Sequence, residues 1–303
     1  MEAIIECRNL THFYGKRLIY ENLNFKVPEG RILGLLGKNG TGKTTTINIL
    51  SGYLEPRKGE CLIFGENIRS MNPATRARIG LLIEGHVQYQ FMTIRQIERF
   101  YSAFYPQWRK DAYYELMAKL KVAPGQRIAN MSCGQRSQVA LGLILAQNPD
   151  LLVLDDFSLG LDPGYRRLFV EYLREYAKAE GKTVFLTSHI IQDMERLVDD
   201  CIIMDYGRIL LQCPVAQILS NFRIYRCQTD EYRNGEALLQ SLSQAGGGKL
   251  YHPSLIRQNL EFGSFLSDAE VGRILRQEQI GYSQLRSERV GLEDAFLSMT
   301  GKY

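Results

Sequence analysis

An α/β fold built on a mostly parallel sheet is predicted by three observations. Strand-like and helix-like segments alternate along the chain. Several strand-like segments are apolar throughout, as strands covered on both faces require. One of them runs straight into a glycine-rich turn and then a helix. Taken in order, Ala3–Cys7 and Leu23–Val27 read as strands of a β-rich opening part, and Arg31–Leu36 ends in the apolar run ILGLL. Lys43–Leu50 reads as a helix. From about residue 85 to 148 the pattern is helical and reads as an insertion. There Ile94, Ile97, Tyr101 and Phe104 recur at helical spacing behind Thr93 as N-cap, and Leu141, Ile144 and Leu145 carry a second apolar face before Pro149. Leu151–Leu154 is a short buried strand; Phe169, Leu173 and Tyr176 mark a helix that Gly181 caps. Thr183–Thr187 and Cys201–Met204 are further strands, and Asp205–Arg208 reads as a hairpin turn. The pattern changes around Pro214, so the expected division is a domain over 1–219 and a small α+β accessory domain over 220–303.

Composition excludes several classes. The chain has 303 residues, 45% of them hydrophobic and 23% charged, which is the balance of a globular protein with ample core. A net charge of +4 is too mild to argue for a nucleic-acid partner. The six cysteines are scattered without metal-ligand spacing and are expected to be reduced thiols. No apolar run reaches the roughly 18 residues of a membrane span, and the first residues lack the apolar stretch of a signal peptide.

Gly37-Lys38-Asn39-Gly40-Thr41-Gly42-Lys43-Thr44, followed by Thr45, fits the phosphate-loop pattern, and it follows a strand and opens a helix as that pattern requires. The glycines let the backbone approach phosphate oxygens, and successive N–H groups make an anion nest at the positive end of the helix. Lys43 brings a point charge to the β- and γ-phosphates, and Thr44 a hydroxyl for Mg²⁺. The run LLVLDD then ends a buried strand in two acids. Alone, such a pair reads equally well as capping acids before a helix. Beside a phosphate loop, Asp155 suits Mg²⁺ through water and Asp156 a general base or water-orienting carboxylate. These two motifs point to a nucleotide bound with Mg²⁺, and because many ATPases and GTPases share them they leave the kind of machine open.

The stretch Met131-Ser132-Cys133-Gly134-Gln135-Arg136 resembles the LSGGQ signature of the ATP-binding cassette (ABC) family, and further motifs match in the family's order. Tyr14 looks like the aromatic that stacks on adenine. Ser158–Asp162 resembles the D-loop, His189 stands at the switch-histidine position and Glu84 at that of the Q-loop. The tail LEDAFL with Thr300-Gly301 is similar to that of exporter-type bacterial members. The resemblance implies a phosphate-loop NTPase cassette with an antiparallel N-terminal β part and a helical insertion. It also implies that two such domains meet head to tail, a homodimer of this chain being the simplest case. Ser132, Gly134 and Gln135 would then act on the ATP of the other copy, and Asp162 of the D-loop would be a further nucleotide-site residue. It further implies Mg²⁺ held with the help of Asp155, Thr44 and Glu84. Separate transmembrane permease subunits would dock near Glu84–Phe91 and hold the chain peripherally on the inner face of the cell membrane.

Three departures from the family pattern matter. Asp156 stands where the family has Glu, so its carboxylate retreats by roughly 1–1.5 Å, a displacement that can cost on the order of 10²-fold in rate. Glu84 replaces the Q-loop Gln, and Cys133 replaces a signature glycine, with strain expected if that position needs φ > 0. Phe157 also takes the place of a usual Pro. The leading expectation is an ATPase subunit that powers transport, with export as its direction. The alternative is a nucleotide-switched regulatory or binding module with weak hydrolysis. A soluble ABC protein acting on ribosomes or DNA fits less well, since the chain carries one cassette, no sustained heptads and no basic stripe.

Overall fold

The computed structural model describes residues 2–83, 89–158, 161–229, 238–242 and 249–301. The chain divides into two compact units, Met1–Ile209 and Leu210–Tyr303.

The first unit holds two sheets. Strands β1 (Ala3–Tyr14) and β2 (Arg17–Pro28) form a long antiparallel hairpin, extended through β4 (Lys58–Ile63) to β5 (Glu66–Asn67). The second sheet runs in the order β10-β9-β3-β8-β7-β6. Its strands are β3 (Ile32–Gly37), β6 (Ile79–Leu82), β7 (Leu151–Leu154), β8 (Thr183–Thr187), β9 (Asp200–Asp205) and β10 (Arg208–Pro214) at the edge, within which the unit ends. The pairings of β3 with β8 and β9, and of β7 with β6 and β8, are parallel. Every residue of β7, β8 and β9 is buried, which is why these strands read as unbroken apolar runs rather than alternating ones. Ile5, Leu10, Val27, Leu33, Ile47 and Val153 share one core, in which Phe25 stacks on Phe185 at 5.7 Å.

The helices follow local chemistry. Helix α1 (Lys43–Leu50) leaves the glycine-rich turn, and α2 (Pro73–Arg76) is one turn started by Asn72. The insertion contains α3 (Ile94–Ser102), α4 (Lys110–Lys119) and α5 (Cys133–Ala146). Thr93 and Gln96 form the reciprocal capping pair at the start of α3. Ile94 and Ile97 are buried as expected, but Phe104 lies beyond the helix end and is 66% exposed, so the apolar face turns to solvent there. Helix α5 is buried on nearly all sides rather than on one face. Helices α6 (Pro163–Ala179) and α7 (Ile191–Leu197) complete the unit, with Gly181 at φ +62° just past α6. Tyr206 and Gly207, both at positive φ, make the turn between β9 and β10.

In the second unit, helix α8 (Val215–Asn221) leads into β11 (Arg223–Thr229), a helical segment at 238–242, β12 (Leu250–Ile256), β13 (Asn259–Ser264), α9 (Asp268–Gln277), β14 (Tyr282–Arg289) and α10 (Leu292–Thr300). The sheet order is β12-β13-β11-β14 with antiparallel pairing, a β-α-β-β-α-β arrangement. Alternate residues of its strands, Tyr225 with Cys227 and Leu260 with Phe262, pack on Val271 and Leu275 of α9. The expected boundary at 219 differs from the observed one: the chain from Leu210 onward, including all of α8, belongs to the second unit.

Candidate functional site

The strand order brings the predicted residues together. Strand β8 lies between β3 and β7, and all three run parallel. The glycine-rich turn leaves the carboxyl end of β3, Asp155 and Asp156 leave that of β7, and Ser188 and His189 leave that of β8. Motifs far apart in sequence therefore meet at the carboxyl ends of adjacent parallel strands, where ligands of open α/β sheets bind.

Gly42 caps α1 at φ +102°, and a Cβ there would stand 2.8 Å from the Ile19 and Tyr20 side chains. Glycine is required on both counts. Lys43 is buried and folds back, donating from Nζ to the carbonyls of Gly37 at 2.7 Å and Lys38 at 3.1 Å. Burial lowers the Lys43 pKa, and the charges of Asp156 and Asp155 oppose the shift. Thr41 Oγ1 donates to the Lys38 carbonyl at 2.8 Å and holds the turn closed. A cavity of about 340 Å³ opens over this turn, bordered by Tyr14, Arg17, Asn39, Gly40, Thr44, Thr45 and His189. Tyr14 is half exposed and meets the His12 ring edge to face, with the ring centroids 4.9 Å apart.

Both acids are buried and tied to β8. The Thr187 hydroxyl donates to Asp155 Oδ1 at 2.6 Å and accepts the Asp156 amide at 2.9 Å. Asp156 takes a left-handed backbone, φ +43°. Its Oδ1 accepts the His189 amide at 3.3 Å, and its Oδ2 stands 2.9 Å from Nε2 of His189 without hydrogen-bond alignment. Burial raises the Asp156 pKa, His189 opposes the shift and Asp155 adds to it. Ser158 and Ser188 meet at 3.1 Å, a further tie between the same two chain segments.

The signature residues stand at the start of α5. Ser132 is its N-cap and exchanges hydrogen bonds with Gln135: Ser132 Oγ accepts the Gln135 amide and Gln135 Oε1 accepts the Ser132 amide. Gly134 has no room for a side chain, since a Cβ would lie 2.7 Å from the Tyr165 ring. Cys133 is the first residue of the helix and has helical backbone, so the strain conditionally expected at this position is absent; its thiol is exposed. Asp162 Oδ1 accepts the amides of Gly164 and Tyr165 and so caps α6. Phe157, in place of a proline, is buried and stacks on Phe169 at 5.0 Å. Glu84 lies outside the described residues, as does the stretch to Gln88. Tyr89 and Phe91 are 45% and 70% exposed and join Phe100 in an aromatic cluster.

Sequence reasoning missed Arg17 and Thr187. Arg17 follows the β1–β2 turn and reaches over Gly40, a placement only the hairpin register reveals. Thr187 had a signal: a hydroxyl ending a buried strand two residues before His189.

Residues 20–158 match the family model described as ABC transporter. The bacitracin transport ATP-binding protein BcrA of Bacillus licheniformis is 27% identical over 304 residues, covering 99% of this chain and 98% of that protein. A Nod factor export ATP-binding protein I from Burkholderia orbicola is 33% identical over 211 residues, 68% of this chain and 69% of that one. A solved structure of an ATP binding subunit of an ABC transporter superposes with a TM-score of 0.62 at 27% identity, covering 72% of this chain and 92% of that chain.

Proposed function

The chain belongs to the ABC transporter family as an ATP-binding, ATP-hydrolysing subunit, and from that premise we propose that it powers export through separate membrane-spanning subunits, with Asp156 as its working carboxylate. The observation that carries the reading is the meeting of Lys43, Asp155, Asp156 and His189 at the carboxyl ends of adjacent strands beside the cavity over the phosphate loop.

The loop amides and Lys43 bind the phosphates, and Tyr14 stacks on the base. Lys43 is held by backbone carbonyls until phosphate oxygens replace them. Asp156 orients the attacking water and takes its proton; burial suits the carboxyl to that task by raising its pKa. His189, 46% exposed at its side chain and beside Asp156, faces the same cleft and hydrogen-bonds the γ-phosphate. The donor set fits Mg²⁺, which takes hard oxygen ligands and needs only one or two from the protein besides phosphate and water. Thr44 and Asp155 offer a hydroxyl and a carboxylate, and the resemblance adds Glu84. When bound, the ion neutralises charge on the β- and γ-phosphates.

A second copy supplies Ser132, Gly134 and Gln135 from the start of α5, with Asp162 from the start of α6. The membrane partner seats a short helix by the aromatics Tyr89, Phe91 and Phe100. Next to them is a cavity of about 660 Å³, bordered by Leu82, Tyr101, Phe104 and Leu143. No helix among the described residues is long and apolar enough to cross a membrane. The chain is placed on the inner membrane face through that partner. Export as the direction rests on the Nod factor relative's name and on the tail motif.

The test is Mg²⁺-ATP turnover as a function of the chain's own concentration, with Asp156→Asn as control. A rate that rises faster than linearly and collapses in the control supports a self-assembling ATPase using Asp156. A wild-type rate in the control removes Asp156 from the chemistry. Tight ATP binding with no turnover, even with the membrane partner present, favours a nucleotide-switched module, a reading that the turn of Asp156 toward His189 keeps in play.

A further inference from the structure

We infer that Thr187 is a positioning residue for hydrolysis, its hydroxyl setting the aim of both acids at the end of β7. The inference rests on the proposed role of Asp156 and deepens it. One oxygen makes two directional bonds here. As donor it fixes Oδ1 of Asp155 at 2.6 Å, and as acceptor it fixes the backbone N–H of Asp156 at 2.9 Å. A hydroxyl has one proton and two lone pairs, so both bonds are satisfied together. Thr187 is 1% exposed, and solvent cannot replace either bond if the hydroxyl is removed.

The second bond matters most because of the conformation it holds. Asp156 is left-handed at φ +43°, a conformation that costs even an Asp some energy and that the bond from its amide to Thr187 helps to hold. That backbone turn is what directs the short side chain toward His189. The bond from the Asp156 amide to Thr187 is one of two that bind Asp156 to the end of β8; the other is the His189 amide to Oδ1. With the hydroxyl gone, the amide is buried without an acceptor and the peptide has reason to turn. A shift of about 1 Å at the carboxylate is enough to cost on the order of 10²-fold in rate. Thr187 touches neither nucleotide nor water in this account. It acts through the two acids.

Three variants test this: Thr187→Val, which keeps the shape, Thr187→Ala, which removes it, and Thr187→Ser, which keeps the hydroxyl. Each is measured for kcat, KM, affinity for ATP at equilibrium, and amide exchange at Asp156. The expected result is a kcat reduced at least tenfold in Val and Ala with KM within about twofold. Ser keeps kcat within about threefold. Amide exchange at Asp156 speeds up at least tenfold in Val and Ala but not in Ser. Wild-type kcat in Val or Ala, or a Ser variant as slow as Ala, overturns the inference. If Val does not fold, the Ala and Ser pair decides alone. Asp156→Asn run in parallel separates the two readings: if it hydrolyses like wild type, the role of Asp156 fails, whereas a dead Asp156→Asn beside a fully active Thr187→Ala defeats only the role of Thr187.

Discussion

The carboxylate of Asp156 is turned onto His189, with Oδ2 2.9 Å from Nε2 and Oδ1 accepting the His189 amide at 3.3 Å. The left-handed backbone of Asp156 makes this orientation possible. Asp tolerates that conformation better than most residues, because its short polar side chain bonds locally. The shorter acid thus suits its backbone while reaching less far from the end of β7 than a Glu would.

Two effects compete when Asp156 is changed to Glu. The longer side chain regains reach, where a displacement of about 1 Å is worth on the order of 10²-fold. It also leaves a residue less suited to φ > 0, at a cost below the roughly 1–2 kcal/mol of a fully disfavoured left-handed residue. Reach wins for rate. Asp156→Glu is expected to raise kcat about tenfold and to lower the melting temperature slightly, read by steady-state kinetics and calorimetry. An unchanged kcat would mean that the Asp is already in place.

The buried charges set a pH profile. Free Asp156 has its pKa raised above the ordinary 3.8 by burial, so it becomes a competent base only at higher pH than an exposed Asp. Free Lys43 has its pKa lowered from 10.5 by burial, so it loses its charge at lower pH than an exposed Lys. The profile of kcat/KM, which reports the free enzyme, is expected to be a bell narrowed from both sides. Stability follows the same signs. The raised Asp156 pKa means the folded state binds more protons than the unfolded one above pH 3.8, so this group's contribution falls as pH rises through its folded pKa. Asp156→Asn should remove that contribution, read as a flatter pH dependence of the melting temperature across this range.

Gly42 offers a cleaner perturbation. An alanine there meets a left-handed backbone at φ +102° and side-chain atoms of Ile19 and Tyr20 at 2.8 Å. Overpacking costs about 1–3 kcal/mol, and the backbone adds about 1–2 kcal/mol. Gly42→Ala is expected to lower stability by a few kcal/mol and ATP affinity at least tenfold, because Gly42 also orients the loop amides. Gly15→Ala, at φ +60° with open space around it, should cost only the backbone part and leave ATP affinity intact.

The sequence was most legible where chemistry and local structure coincide. Strand β3, the glycine turn and α1 are adjacent in the chain, and pattern alone placed them. Strand β1 was read only to Cys7, although it runs to Tyr14, because polar Arg8, Asn9 and Thr11 and a left-handed Asn9 interrupt the alternation. The two acids were legible as a pair, but not the turn of Asp156 toward His189, since that depends on β8 lying beside β7. Asp162 was expected at the nucleotide on resemblance; its observed partners are the amides of its own helix.

Cys133 gives a direct readout of dimer closure. Among the six cysteines Cys133 alone is exposed; Cys213 is half-buried and the other four are buried. It opens α5 beside Ser132, on the face assigned to the second copy's nucleotide. A maleimide should therefore label Cys133 first, at a rate that Cys133→Ser removes. In the Asp156→Asn background, where ATP binds without being consumed, Mg²⁺-ATP is expected to slow that labelling at least tenfold, and ADP should not. Labelling before nucleotide is added should abolish turnover by wedging the interface apart while leaving ATP affinity within about twofold, since the phosphate loop of the same copy is untouched. Equal labelling with and without ATP, at protein concentrations where turnover rises faster than linearly, would place the start of α5 away from the closing interface.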